Sequence, residues 1–142
     1  MSAYADTSFL VSLYGHDALS EAAVATVEKH RPRFFLTPLG ELEFLNAVAL
    51  GVFRKEWTAS EARAVQAKFR EHRDTGFFVL ETLPATVWGL AQRMALSRAP
   101  QLGVRTLDIL HVASALLVKA KTFYSFDDRQ RKLARLEGLL VR

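Results

Sequence analysis

Five short apolar runs recur along this chain: Ala3–Ala5, Phe34–Leu36, Phe77–Leu80, Phe123–Ser125 and Leu139–Val141. They do not alternate with polar residues, so each reads as a strand covered on both faces. Longer segments with helical punctuation separate them. Asp6-Thr7-Ser8 caps a helix that runs through Tyr14 and stops at Gly15, and Ala18–His30 reads as a second. Thr37 as cap and Pro38 in the first turn open a helix to about Arg54. Another begins near Thr58–Ser60 and ends at Asp74; Pro84–Ser97 is helical and Pro100–Gly103 a loop. Thr106–Ala120 is apolar nearly all round and is therefore a buried helix, and Asp128–Leu136 is a short one. Strands that short, joined by helices that long, predict a three-layer α/β/α sandwich on a mostly parallel sheet of four or five strands.

The 142 residues suit a single domain, residues 1–142, with a real core. The composition, 50% hydrophobic and 24% charged, is that of a globular chain rather than a disordered one. With no Cys, disulfides and thiolate metal sites are excluded. No apolar run reaches the roughly 18 residues of a membrane helix, and Asp6 interrupts an N-terminus that lacks leading basic residues. The expectation is a soluble, cytoplasmic protein with no membrane association. A net charge of +4, carried in clusters such as Arg54-Lys55 and Arg129-Gln130-Arg131-Lys132, is compatible with a polyanionic partner.

In open parallel sheets the functional crevice lies beyond the carboxyl ends of the strands. Asp6 ends the first strand, and Asp127-Asp128 follow the fourth. At about 100° per residue, Leu39, Leu42, Glu43, Asn46, Leu50 and Phe53 share one helical stripe, with Glu41 on the opposite side. That phase predicts Glu43 and Asn46 on a core-facing surface, where an unpaired carboxylate is costly. Asp108 falls in the first turn of the buried helix, on a face with Val112 and Ala115.

Each acid also has an ordinary explanation. Asp6 and Asp127 suit N-caps, Asp108 complements a helix dipole, and Glu43 suits a partner for a buried Arg. Together, four carboxylates at one end of one sheet stay ionised only with cations among them. All-oxygen donors favour Mg2+ or Mn2+. Such ions acidify water and stabilise charge on a phosphoryl oxygen, which is hydrolytic chemistry on a phosphodiester. His16, His30, His72 and His111 show no metal-ligand spacing; His111 reads as a packed or supporting residue. Trp57 and Trp88 read as core or interface.

The stretches "YADTSFLVSLY", "LTPLGELEFLNAV" and "RTLDILHVASALLVKAKTFYSFDDRQRKLA" resemble, in that order, the motifs of a PIN domain, in particular VapC-like ribonuclease toxins of type II toxin–antitoxin pairs. The resemblance spans nearly the whole chain. It implies metal-binding acids at Asp6, Glu43, Asp108 and Asp127, with Glu41 and Asp128 as alternatives to Glu43 and Asp127. Ser125, Thr7, Ser8 and Asn46 would support them. Of the adjacent pair, Asp127 is expected at the metal and Asp128 outward, as an N-cap or a partner for Arg131. The resemblance further implies an Mg2+- or Mn2+-dependent endoribonuclease acting on tRNA, rRNA or mRNA, a homodimer, and inhibition by a cognate antitoxin. Arg54, Lys55, Arg129 and Arg131 are the expected RNA contacts. The apolar Leu45, Val48 and Val52 would serve a dimer, an antitoxin or the core. The competing readings are a metal-dependent DNase or phosphatase on a similar sheet, and a non-catalytic PIN-like module that binds RNA or protein. A receiver domain lacks its phosphoryl-accepting Asp and strand-end Lys here.

Overall fold

The computed structural model describes residues 1–142. Its elements, in chain order, are β1 (Ser2–Ala5), α1 (Thr7–Tyr14), α2 (Ser20–His30), β2 (Arg33–Leu36), α3 (Pro38–Phe53) and α4 (Ala59–Asp74). They continue with β3 (Phe78–Leu80), α5 (Val87–Leu102), α6 (Thr106–Leu117), β4 (Thr122–Tyr124), α7 (Asp128–Leu136) and β5 (Leu140–Val141). The expected alternation is present. All five strands are parallel, in the order β3-β2-β1-β4-β5.

The strands bury both faces, as their unbroken apolar character requires. Ala3, Ala5, Phe34, Leu36, Phe78 and Tyr124 pack under α1–α4, while Tyr4 and Phe123 point the other way, under α5–α7. The pleat enforces this split, because neighbours along a strand face opposite layers. In the first layer an aromatic cluster ties helices to sheet. Phe69 stacks on Phe44 at 4.2 Å and meets Tyr14 at 5.6 Å and Phe78 at 5.4 Å.

The helix starts follow their caps. The Asp6 carboxylate accepts from Phe9 N–H, Thr37 Oγ1 from Gly40 N–H, and Thr58 with Glu61 forms a reciprocal capping box. Two expectations fail. The helix α5 continues through Pro100 to Leu102, where Gly103 closes it at φ +65°. A proline in the last turn removes only one N–H, and the carbonyl it leaves belongs to Leu96 on the exposed face. The second failure concerns α3. Its core face is Gly40, Phe44, Val48 and Gly51, and the predicted stripe is instead its outer face, with Leu42 at 67% and Phe53 at 84% exposure. Val48 is fully buried, and Leu45 and Val52 pack against the same core, so that side of α3 belongs to the sandwich itself.

On the opposite layer, Glu137 receives Arg93 and Arg98, each at 3.1 Å, and so ties α5 to the end of α7. Burial alone would push its carboxyl pKa up; the hydrogen bonds from Arg93 and Arg98 outweigh this and hold it below the usual range. A depressed carboxyl contributes stability above its unfolded pKa, about 4.3, and loses it as pH falls through the folded value. Glu137→Gln is therefore expected to cost about 1–2 kcal/mol at pH 7, since one partner is half exposed and screened. Urea titrations at pH 7 and pH 3 check this, and a cost that persists undiminished at pH 3 refutes it.

Candidate active site

Chain order reverses between β1 and β4. From β1 the sheet grows outward through β2 to β3, then returns to the other side of β1 with β4 and β5. At such a switch point the loops after two neighbouring strands diverge and leave a crevice. The loop after β1 begins with Asp6, and the loop after β4 carries Ser125, Phe126 and Asp127.

A cavity of about 730 Å3 opens there. Glu43, Asn46, Ala47, Leu50 and Arg54 form its α3 wall, and Arg105, Thr106, Leu107 and Asp108 its α6 wall. Thr7, Ser8, Asp127 and Gln130 complete the side next to the sheet. Three of the four expected acids thus line a single cavity. The fourth, Asp6, is fully buried directly behind Thr7 and Ser8.

Asp6 is held by three donors. Ser8 Oγ donates to Oδ1 at 2.7 Å, Phe9 N–H to the same oxygen at 2.9 Å, and Ser125 Oγ to Oδ2 at 2.5 Å. Burial still raises its pKa, and the bonds from Ser125 and Ser8 offset this only in part. Burial therefore disfavours the charged carboxylate, a penalty that a nearby cation would relieve.

Asp127 is the N-cap of α7, with Oδ1 accepting from Gln130 N–H at 2.8 Å. It caps the helix and lines the cavity at once. Asp128, expected as the cap, is instead the first helical residue and is exposed, and Arg131 donates to the Ser125 carbonyl at 2.7 Å rather than to Asp128. One carboxylate serves both purposes because an N-cap side chain folds back over the loop it leaves.

Asp108 closes the first turn of α6 by accepting from Arg105 N–H at 2.8 Å, with the Arg105 guanidinium 3.8 Å away. Glu43 has no Arg. Its Oε2 faces His111 Nε2 at 3.4 Å and Thr7 Oγ1 at 3.5 Å, and the His111 hydrogen bond lowers its pKa despite partial burial. Glu41 points away and pairs with Arg73, which removes it as an alternative ligand.

The donor chemistry fits a hard divalent cation: carboxylates and hydroxyls, with no Lys or Cys in the lining. No three His, Asp or Glu side chains stand close enough together to cage an ion by themselves. A divalent cation there would take one or two of these carboxylates and complete its shell with water and substrate phosphate.

A family model for the PIN domain matches residues 3–136. The chain belongs to the PIN domain family. Among solved structures, Mycobacterium tuberculosis VapC20, a Sarcin-Ricin loop cleaving toxin, superposes with a TM-score of 0.71 at 18% identity, covering 97% of this chain and 96% of that one. The FitAcB structure from Neisseria gonorrhoeae gives 0.69 at 17% identity, covering 98% and 95%. Rickettsia felis VapBC2, bound to a DNA fragment from its promoter, gives 0.67 at 14% identity, covering 100% and 98%. At these identities the likeness is one of fold. No functionally curated protein matches the sequence.

Several lining residues of this PIN domain carry no signal along the sequence. Ser12 donates to Asp17 at 2.8 Å on the α1 side of the cavity. Gln130 follows Asp127 by three positions, as an N3 residue does, and that spacing was the one readable clue to it. Lys55 and Arg129 lie outside the lining, whereas Arg54 and Arg105 are in it. No helix is long and apolar enough to cross a membrane.

Proposed function

We propose that this chain is a divalent-metal-dependent endoribonuclease, the toxin of a type II toxin–antitoxin pair. The observation that carries the reading is the meeting of Glu43, Asp108 and Asp127 around one cavity, with Asp6 behind it, at the switch point of the sheet. Membership in the PIN family and the VapC-type folds it resembles support the same reading.

One or two of Glu43, Asp108 and Asp127 would contact Mg2+ or Mn2+ directly and the rest through water, with Asp6 supplying negative charge from behind. When bound, the ion supplies Lewis acidity toward water and toward the phosphate oxygens. The chain's own residues do the rest. Ser8 and Ser125 fix the Asp6 carboxylate, and the α1 N-terminus it caps adds positive potential toward an anion. Arg54 and Arg105, in opposite walls, attract the phosphate backbone and set its path across the acids. Leu50 and Leu107 supply apolar contact within the same walls.

RNA is the proposed substrate class, with tRNA, rRNA and mRNA its candidate members; one structural relative is a toxin that cleaves the Sarcin-Ricin loop. A cognate antitoxin and a second copy of the chain are the proposed protein partners, for which the exposed apolar residues Leu42, Phe53, Trp88 and Leu96 offer surface. Cytoplasmic location follows from an RNA substrate.

Cleavage of total RNA is expected to stop in EDTA and to return with Mn2+ or Mg2+. Mn2+ at about 100 times its dissociation constant should add about 2.7 kcal/mol of stability, read as a rise in Tm. Sequencing RNA ends after induction identifies the target. Undiminished cleavage in EDTA, or cleavage of DNA alone, overturns the proposal.

A further inference from the structure

His111 lies on α6, buried, and is itself no part of the cavity lining. Its two ring nitrogens nevertheless join the sheet to the cavity. Nδ1 is 2.8 Å from the hydroxyl of Tyr4, a buried residue of β1. Nε2 is 3.4 Å from Glu43 Oε2 and 3.3 Å from Thr7 Oγ1, which itself donates to the same Glu43 oxygen. The last three separations are long for single hydrogen bonds and suit one donor shared between two acceptors.

The proton positions follow from what each atom can do. A carboxylate accepts only, so the nitrogen facing Glu43 must carry hydrogen. Nδ1, at 2.8 Å, is the nearest partner of the Tyr4 hydroxyl, with the Thr37 and Ser114 hydroxyls beside it, and an N–H at Nδ1 would set donor against donor unless the Tyr4 proton turned to one of them. The arrangement that uses both His111 contacts has Tyr4 O–H donating to Nδ1 and Nε2–H donating to Glu43. Both donors that reach Glu43 meet Oε2, and Oε1 accepts none, so it is left for the cavity.

We propose that Tyr4 and His111 form a positioning relay that locks His111 as the Nε2–H tautomer and thereby fixes which Glu43 oxygen a bound cation meets. His111 is a positioning residue, acting through Glu43. The proposal rests on the reading of Glu43 as a ligand. Partners of this kind behind a ligand are worth about 10- to 100-fold in metal affinity.

Three measurements test it. In the metal-free wild type, nitrogen NMR of His111 should show Nε2 as pyrrole-type and Nδ1 as pyridine-type; the reverse pattern, or two pyrrole-type nitrogens, overturns the relay. Mn2+ affinity, read by water-proton relaxation, separates two near-isosteric variants. His111→Gln places an amide donor near Nε2 and should stay close to wild type. His111→Asn places its amide near Nδ1, short of Glu43, and should weaken Mn2+ binding about 10- to 100-fold. Equal loss in both variants indicates a purely structural His and refutes the proposal. Tyr4→Phe, which keeps the ring packing, should move the Nδ1 resonance while Nε2 stays pyrrole-type; an unmoved Nδ1 resonance refutes it, even if a His111 variant does not fold. If the wild type binds no Mn2+ at all, the proposed metal dependence fails, while the NMR result still decides whether the relay exists.

Discussion

Asp6→Asn is expected to abolish RNA cleavage, by at least about 100-fold, while the protein stays folded and becomes no less stable. The two halves of this result have different causes. Asn is as good an N-cap as Asp, and its amide oxygen can still accept from Phe9 N–H, where Oδ1 now does at 2.9 Å. Ser8 Oγ can keep donating to that oxygen, and the Ser125 hydroxyl, which now donates to Oδ2, can rotate to accept from the amide N–H that replaces it. What disappears is the charge. Burial raises the Asp6 pKa, so the fold favours the protonated acid. An acid raised in this way gives its full stability below the unfolded pKa and loses it as pH rises through the folded value. Holding Asp6 charged is thus a cost to the empty fold, and the neutral amide removes it, a trade of stability for activity common at functional sites. The same shift predicts that protons compete with Mn2+ for the site at a pH above that of an ordinary Asp, so Mn2+ affinity falls there. Thermal melts and cleavage assays on purified wild type and variant decide both halves. Metal-dependent cleavage at wild-type rates would remove Asp6 from the site, and a large drop in Tm would make its role one of folding alone.

Phe69→Ala is expected to produce the largest loss of stability of any single truncation considered, about 4 kcal/mol. Phe69 has no exposed surface and is bounded by Phe44, Tyr14 and Phe78, which come from α3, α1 and β3. Three different elements frame the void, so none can close it without moving the others. For a chain of this size such a loss lowers Tm by roughly 10–20 °C. Phe44 directly precedes Leu45 and follows Glu43, so any tilt of α3 toward the void also displaces the Glu43 wall of the cavity. Cleavage should then drop more than the folded fraction does at 25 °C. Denaturant unfolding gives the first quantity and cleavage per folded molecule the second. A cost under about 1.5 kcal/mol would mean that the aromatic cluster repacks, and that α3 is held chiefly by other contacts.

The four acids illustrate how the fold can bring residues together by a route other than the one their sequence pattern implies. Glu43 was expected on a core-facing stripe. That stripe faces outward, toward cavity and solvent, and the core face is the one built on Phe44 and Val48. Helical periodicity groups residues by side, but Leu42, Leu50 and Phe53 are apolar on the outer side too, so phase alone assigns no side to the core. Asp127 and Asp128 show a second limit. Adjacent acids after a strand signal a cap, yet which of them caps is set by where the backbone leaves β4, and here that same residue also lines the cavity.

Much was settled along the chain itself. Unbroken apolar triplets demand strands with both faces covered, and Asp6, Thr37 and Thr58 start their helices through bonds that span three residues. Such interactions are local, so they are legible one window at a time. The junction of Tyr4, His111, Thr7 and Glu43 is not local: it joins positions up to 107 apart, and only the order of strands in the sheet brings them together. The same holds for Ser125 on Asp6, 119 positions apart, and for Arg54 and Arg105, which line one cavity. Strand order is fixed by which apolar faces pack best over the whole molecule, a sum over many distant pairs that no short stretch of sequence contains.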